Sequence, residues 1–202
     1  MQTDVELLQQ YKDRFIKLET VRHELQQAID ACLRTMPHID IKQSRVKNPD
    51  RFIKKASKEI MGDRKYKHPL DEIQDQIGAR IIVFYLSDVD PICQKILSEF
   101  QEVEDFRKDP ENPSEFAYVG HHLICFIPPD IVSRNACPIN FFEIQIHTLF
   151  QHAWAEASHD LSYKGQEELT FEEKRKIAWA SAQSWGADVI FDELLNKGKR
   201  EG

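Results

Sequence analysis

The sequence lacks any apolar run of the roughly 18 residues that a membrane-spanning helix needs. It also lacks a charged start followed by an apolar stretch and a small-residue cleavage site, so a cytoplasmic protein with no membrane association is expected. Paired cysteine spacing is missing too: Cys32, Cys93, Cys125 and Cys137 are scattered with no C-x-x-C, which reads as reduced thiols used for packing. There is no H-E-x-x-H, no internal repeat and no low-complexity tract. Positive charge is in deficit, with 27 Lys and Arg against 34 Asp and Glu and a net charge of −7. That balance argues against broad binding to duplex nucleic acid, whose affinity comes largely from cations on phosphates, while leaving room for a local basic pocket.

What is present is enough for a core. The 202 residues are 41% hydrophobic and include twelve Phe and three Trp, beside 30% charged residues. A single domain over residues 1–202 is expected, with an N-terminal helix in 1–35, a core in 39–164 and a last helix in 171–196. Apolar residues recur every three or four positions from Val5 through Phe15 to Leu33, as one face of a long helix requires, and Pro37 stops it. Residues 39–47 alternate as a strand, and Asn48-Pro49-Asp50 opens a helix. Residues 62–69 read as a loop. Residues 79–85 are near-continuously apolar and β-branched, hence a buried strand, and residues 89–100 carry helical spacing. Residues 102–115, acidic and with Pro110 and Pro113, read as a surface loop or poorly ordered segment. Residues 118–127 and 139–146 read as strands pairing in a hairpin across a loop of about nine residues. Helices and strands thus alternate, implying an α+β or α/β domain with a mixed sheet of about five strands.

Two stretches carry chemistry. In Phe141-Phe142-Glu143-Ile144-Gln145-Ile146-His147-Thr148 the apolar residues alternate, so Glu143, Gln145 and His147 share the opposite face of a strand. Thr148 can cap the next helix, whose first N–H groups favour an anion nearby. In that helix Leu149, Ala153, Trp154, Ala157 and Leu161 read as the buried face, and His152, Glu156 and His159 as a polar face that is also a weak candidate for a zinc site. Earlier in the chain, Arg45, Lys47, Arg51, Lys54, Lys55 and Lys58 crowd a short segment of an acidic protein, either as a solvated face or as a cradle for polyphosphate. Asp75, just before the central strand, is either a turn residue or a hard oxygen ligand able to hold Mg²⁺ against phosphate.

Together these motifs resemble the synthetase domain of the RelA/SpoT family, the pyrophosphokinases that make ppGpp and pppGpp. Glu143-Ile-Gln145-Ile-His147-Thr148 is similar to the family's E-[IV]-Q-[IV]-R-T, with His152, Trp154, Glu156, His159 and Tyr163-Lys164 following at the expected distance. Asp75-Gln-Ile-Gly78-Ala-Arg80 resembles D-[IL]-A-G-x-R, Arg45-Val-Lys47 with Lys55 resembles R-x-K-x-x-x-S-x-x-x-K, and Tyr118 with His122 fits G-Y-x-S-x-H. The resemblance implies a nucleotidyltransferase-like fold in which the 3′-hydroxyl of GTP or GDP attacks the β-phosphorus of ATP and AMP leaves. By position it implies Asp75 and Glu143 as metal ligands and catalytic carboxylates for Mg²⁺. Arg45 and Arg80 would hold the adenine, and Lys47 and Lys55, with Arg51, the ATP phosphates. Tyr118, stacking on the acceptor base, would join His122, Gln145, His147, His152 and His159 on the acceptor side.

Departures from the pattern fall mainly on that acceptor side. Arg51 stands where the family has serine and His147 where it has arginine. Asn112-Pro-Ser-Glu-Phe-Ala117 replaces a segment that usually reads Pro-Lys-x-Asn-Gly. Toxin-like relatives that modify the tRNA 3′ end or make adenosine alarmones are therefore the alternative acceptor class, with the acidic balance weighing against tRNA. A catalytically reduced nucleotide-binding module and a homo-oligomeric assembly are the other expectations the sequence leaves standing.

Overall fold

The computed structural model describes residues 3–107, 116, 118, 120–164 and 169–200. Helix α1 (Asp4–Cys32) starts at a reciprocal cap: the Thr3 hydroxyl accepts from Glu6 N–H, and the Glu6 carboxylate accepts from Thr3 N–H. It buries Leu7, Tyr11, Leu18, Val21, Leu25 and Ile29 along one stripe, while Val5, expected on that stripe, stands exposed in the first turn.

The chain then runs through strand β1 (Ile39–Val46), helix α2 (Pro49–Ala56), a small hairpin of β2 (Glu59–Ile60) and β3 (Asp63–Arg64), and the single turn α3 (Pro69–Glu72). After a 3₁₀ turn at Gln74–Gln76 come β4 (Ile77–Val83), α4 (Val89–Leu97), β5 (Glu102–Arg107) and β6 (His121–Phe126). Helix α5 (Pro129–Asn135), β7 (Phe141–Thr148), α6 (Leu149–Lys164) and α7 (Phe171–Arg200) complete it. Five strands form one mixed sheet in the order β1-β4-β7-β6-β5; β4 and β7 are parallel at its centre and every other pairing is antiparallel. The fold is the α+β arrangement expected. Helices α1 and α4 cover the apolar face, where Ile81, Val83, Phe142, Ile144 and Ile146 are buried.

Four sequence expectations are corrected. Residues 102–107 are not loop but the edge strand β5: their acidic side chains sit in solvent while the backbone pairs with β6, which a reading of composition misses. Residues 108–115 lie outside the described residues. The hairpin between β6 and β7 is as expected, with His122 opposite Gln145, but its connection folds into α5, started by Pro129 at a first helical position. Residues 62–69 include β3, paired to β2. Helix α6 leaves Leu149, Ala153, Ala157 and Leu161 largely in solvent, because its contacts run to α7 and to the polar ends of β4 and β7 rather than to the core. Helix α7 in turn packs mainly on α6 and the turn at residues 86–88, so Trp179, Trp185, Ile190, Phe191 and Leu194 stay exposed. All four cysteines are free thiols, Cys93 and Cys125 buried.

Candidate active site

The site is built from two adjacent rungs of the sheet. Arg45, Gly78 and Glu143 stand side by side across β1, β4 and β7, and Gln43, Arg80, Gln145 and His122 occupy the next rung across β1, β4, β7 and β6. Strand alternation sends all of them to the face away from α1. A cavity of about 480 Å³ opens there, a size typical of small-molecule sites. Arg45, Lys47, Arg51, Asp75, Arg80, Glu143 and Gln145 line it together with Gln43, Ser44, Val46, Asn48, Gly78 and Ala79. A Cβ on Gly78 would meet nothing within 4 Å, so the glycine leaves space open between the Arg45 and Glu143 side chains.

The basic segment and the acidic turn are pinned to each other through the backbone. Tyr11, stacked on Phe52 at 3.9 Å between ring centroids, donates its hydroxyl to the Lys47 carbonyl at 2.8 Å. Lys47 N–H donates to the Gln76 carbonyl at 2.8 Å. The fully buried Gln76 side chain donates to the Leu70 and Ile73 carbonyls, holding the turn that carries Asp75. Core packing by α1 thus reaches the site through one tyrosine.

Asp75 Oδ2 lies 2.8 Å from Lys47 Nζ and 2.9 Å from Lys55 Nζ, whereas its Oδ1 is buried with no partner. Burial pushes its carboxyl up, but the two ammonium groups outweigh that and hold it below the ordinary value. Glu143 accepts from His122 Nδ1 at 3.0 Å and from Gln145 Nε2 at 2.8 Å. Burial raises it as well; the His122 hydrogen bond wins and keeps it below the ordinary value, with the Asp75 charge opposing. Both are therefore carboxylates at neutral pH, close enough to feel each other. Arg80 donates through Nη1 to Glu156 Oε1 at 2.6 Å and contacts His152 Nδ1 at 3.3 Å, and through Nη2 donates to Gln145 Oε1 at 3.3 Å. Its guanidinium is thus oriented from three sides. Burial, followed by the neighbouring Arg80 and Arg51 charges, lowers Arg45, a sign of three cations crowded at one wall.

On the polar face of α6, His152 and Glu156 both contact the Arg80 guanidinium, and among the described residues no group of three His, Cys, Asp or Glu is placed to hold a metal. Lys55 enters through its bond to Asp75, while Lys54, Lys58 and the exposed His159 do not line the cavity. Sequence reasoning passed over three groups: Gln43, which its rung position puts beside Arg80, Gln76, and Asp188. Buried Asp188 Oδ2 accepts from the hydroxyls of Tyr118 and Thr148, each at 2.5 Å. Burial raises the Asp188 carboxyl, against the pull of those two bonds, and burial likewise raises the Tyr118 phenol. Thr148 caps α6 as expected, accepting from Gln151 N–H at 3.0 Å.

His147, expected on the acceptor side as a titratable group, is only 4% exposed. Gly120 lies against its ring so closely that an added Cβ would stand 2.8 Å from the imidazole and 2.5 Å from the Ile146 carbonyl oxygen. Both ring nitrogens lack partners, as does Nε2 of His122, whose ring lies 5.9 Å away. Burial, reinforced by His122, Arg80 and His152, pushes the His147 pKa down to about 3, so the ring is neutral through the physiological range. An unfolded histidine binds its proton near pH 6.5. The His147 contribution to stability is therefore complete above that pH and is lost as pH falls toward 3, at no more than about 1.4 kcal/mol per pH unit. Urea unfolding at about pH 7 and pH 5 should show this slope, and His147→Leu should flatten it without loss of stability at pH 7, since the leucine has no nitrogen to leave unpaired. An unchanged slope in the variant would contradict the assignment.

Comparison with known proteins agrees with the geometry. No curated protein sequence matches the chain closely enough to count as a relative. The chain is similar in fold to the small alarmone synthetase 1 from Bacillus subtilis, with a TM-score of 0.75, 20% identity and coverage of 95% of this chain and 99% of that one. The same Bacillus subtilis enzyme bound to its product pppGpp superposes with a TM-score of 0.74 at 21% identity over 95% and 99% of the two chains. A GTP pyrophosphokinase family protein from Streptococcus pneumoniae gives 0.64 at 21% identity over 96% and 91%. The model of the region found in RelA / SpoT proteins matches residues 44–168, a span that holds every residue lining the cavity except Gln43. With that match over more than half its length, the chain belongs to the RelA/SpoT family.

Proposed function

We propose that this protein is an ATP-dependent pyrophosphokinase that transfers the β,γ-diphosphate of ATP to the ribose 3′-hydroxyl of GTP or GDP, giving (p)ppGpp and AMP. The observation that carries the proposal is the pairing of two ionised carboxylates, Asp75 and Glu143, in a cavity walled by Arg45, Lys47, Arg51 and Arg80. In support, the similarly folded small alarmone synthetase 1 from Bacillus subtilis is known bound to its product pppGpp and to AMPCPP.

In this reading Arg45 and Arg80 flank the adenine, and Lys47 and Lys55, released from Asp75, meet the phosphates together with Arg51. Glu143, held by His122 and Gln145, takes the proton of the acceptor 3′-hydroxyl as the new O–P bond to the β-phosphorus forms. The bond from that phosphorus to the α,β-bridging oxygen breaks, and AMP leaves with the oxygen. Asp75 and Glu143 suit Mg²⁺, because they offer hard oxygens and because Asp75 Oδ1 is buried without a partner. Bound there, Mg²⁺ would neutralise the charge developing on the phosphates. The residues of the chain orient: the Arg80 network fixes Gln145, and Gln145 fixes Glu143.

Incubation with labelled ATP, Mg²⁺ and, separately, GTP, GDP, ATP or tRNA tests the proposal. AMP and a 3′-pyrophosphorylated guanine nucleotide are expected. Product only with ATP or tRNA as acceptor would overturn the guanine assignment, and no product with any acceptor would overturn the activity.

A further inference from the structure

Helix α7 reaches the acceptor side at two points less than a turn apart. Asp188 is fully buried and accepts at one oxygen from both the Tyr118 and the Thr148 hydroxyls, each at 2.5 Å. Trp185, three residues earlier, places its ring 6.3 Å from that of Phe116. Residues three apart share one face of a helix, so a single face of α7 holds the segment at Phe116 and at Tyr118. Thr148 is the last residue of the strand that carries Glu143, and its hydroxyl also caps α6. One carboxylate oxygen therefore ties Tyr118 to the catalytic strand. Two residues beyond Tyr118, Gly120 lies directly on His147.

A carboxylate is a costly anchor in such a position, since its desolvation is offset here only by two neutral hydroxyls and its Oδ1 has no partner. Apolar contact would join α7 to the segment at less cost; what the carboxylate adds is a fixed place for one phenol oxygen.

We infer that Asp188 is a positioning residue for acceptor binding, holding the Tyr118 ring by its hydroxyl in the orientation the acceptor base needs, with Trp185 steadying the same segment at Phe116. The inference rests on the reading of Tyr118 as the residue that stacks on the acceptor base, and it adds α7, which lies outside the family-matched span, to the determinants of acceptor affinity. Orienting the ring beforehand removes an ordering cost from binding the acceptor and leaves ATP binding alone.

Steady-state kinetics on Asp188→Ala, Asp188→Asn, Tyr118→Phe and the double variant Tyr118→Phe/Asp188→Ala test it. Asp188→Ala and Tyr118→Phe should each raise the acceptor KM about tenfold, the loss of one hydrogen bond to a charged group, with the ATP KM and the acceptor-saturated kcat within about twofold of wild type. Asp188→Asn, which keeps an accepting oxygen, should recover most of the loss, and the double variant should be no worse than either single one. Should Asp188→Ala fail to fold, Tyr118→Phe carries the test alone, because it removes one oxygen and leaves the ring. An unchanged acceptor KM in a folded variant, additive effects in the double variant, or a parallel rise of both KM values overturns the inference. A wild-type protein that turns over no acceptor overturns the proposed activity instead.

Discussion

Glu143→Gln should lower kcat for pyrophosphate transfer by about 10³-fold or more, in the upper part of what a general base contributes, while ATP still binds. The change is nearly isosteric, so the acceptor geometry around the side chain survives: His122 Nδ1 can still donate to the remaining oxygen, now at 3.0 Å from Glu143 Oε1. What disappears is the charge. An amide neither accepts the 3′-hydroxyl proton nor serves as an anionic ligand, and both losses act on the same step. Because Glu143 is held below its ordinary pKa by His122, wild-type activity should persist into mildly acidic buffer, down to where the carboxylate itself protonates. The Gln variant should show no recovery at any pH. Chromatographic measurement of AMP release, beside calorimetric titration with ATP, separates the two parts; activity within tenfold of wild type would remove Glu143 from the chemistry.

Asp75→Asn should produce a different pattern. Turnover falls by about 10²- to 10³-fold and the Mg²⁺ dependence moves to higher concentration, as expected when one of two hard anionic ligands is lost. Nucleotide affinity without metal should move the other way. In the folded protein Lys47 and Lys55 both spend their charge on Asp75 Oδ2, at 2.8 and 2.9 Å, and the neutral amide releases them to the triphosphate. ATP binding in EDTA should therefore tighten as turnover collapses. The carboxyl is also depressed by those lysines, so it contributes stability above its unfolded pKa that is lost as pH falls through the lower folded value. The Asn variant should lack that acid-side loss, measurable by thermal melts below about pH 4. Unchanged Mg²⁺ dependence, or weaker ATP binding in EDTA, would show that Asp75 serves the lysine loop and not the metal.

Much of this is legible in the sequence. The alternation of Phe142, Ile144 and Ile146 placed Glu143, Gln145 and His147 on one face, and the strand follows that alternation as far as Ile146, leaving Glu143 and Gln145 half-buried there while His147 is buried. The stripe from Val5 to Leu33 gave the packing helix, although its first turn buries Leu7 rather than Val5 or Leu8. Motif order linked the basic segment, Asp75 and Glu143, which the sheet then brings around one cavity. The failures are equally specific. Acidic composition hid β5, since an edge strand needs only backbone pairing on one side. Spacing suggested that α6 buries Leu149, Ala153, Ala157 and Leu161, yet no core lies beneath that face.

The sequence by itself determined which residue types meet which element: period-two and period-three-to-four patterns are local, and so is the helix cap at Thr148. Only the tertiary structure decided what those residues do to one another. Register alone set Arg45 beside Gly78 and Glu143, and Arg80 beside Gln145. Burial under Gly120 turned His147 from a titratable group into a neutral ring, and a carboxylate 70 residues away in the chain fixed the Tyr118 hydroxyl. These are effects of distance and desolvation between segments remote in sequence, and no local pattern encodes them.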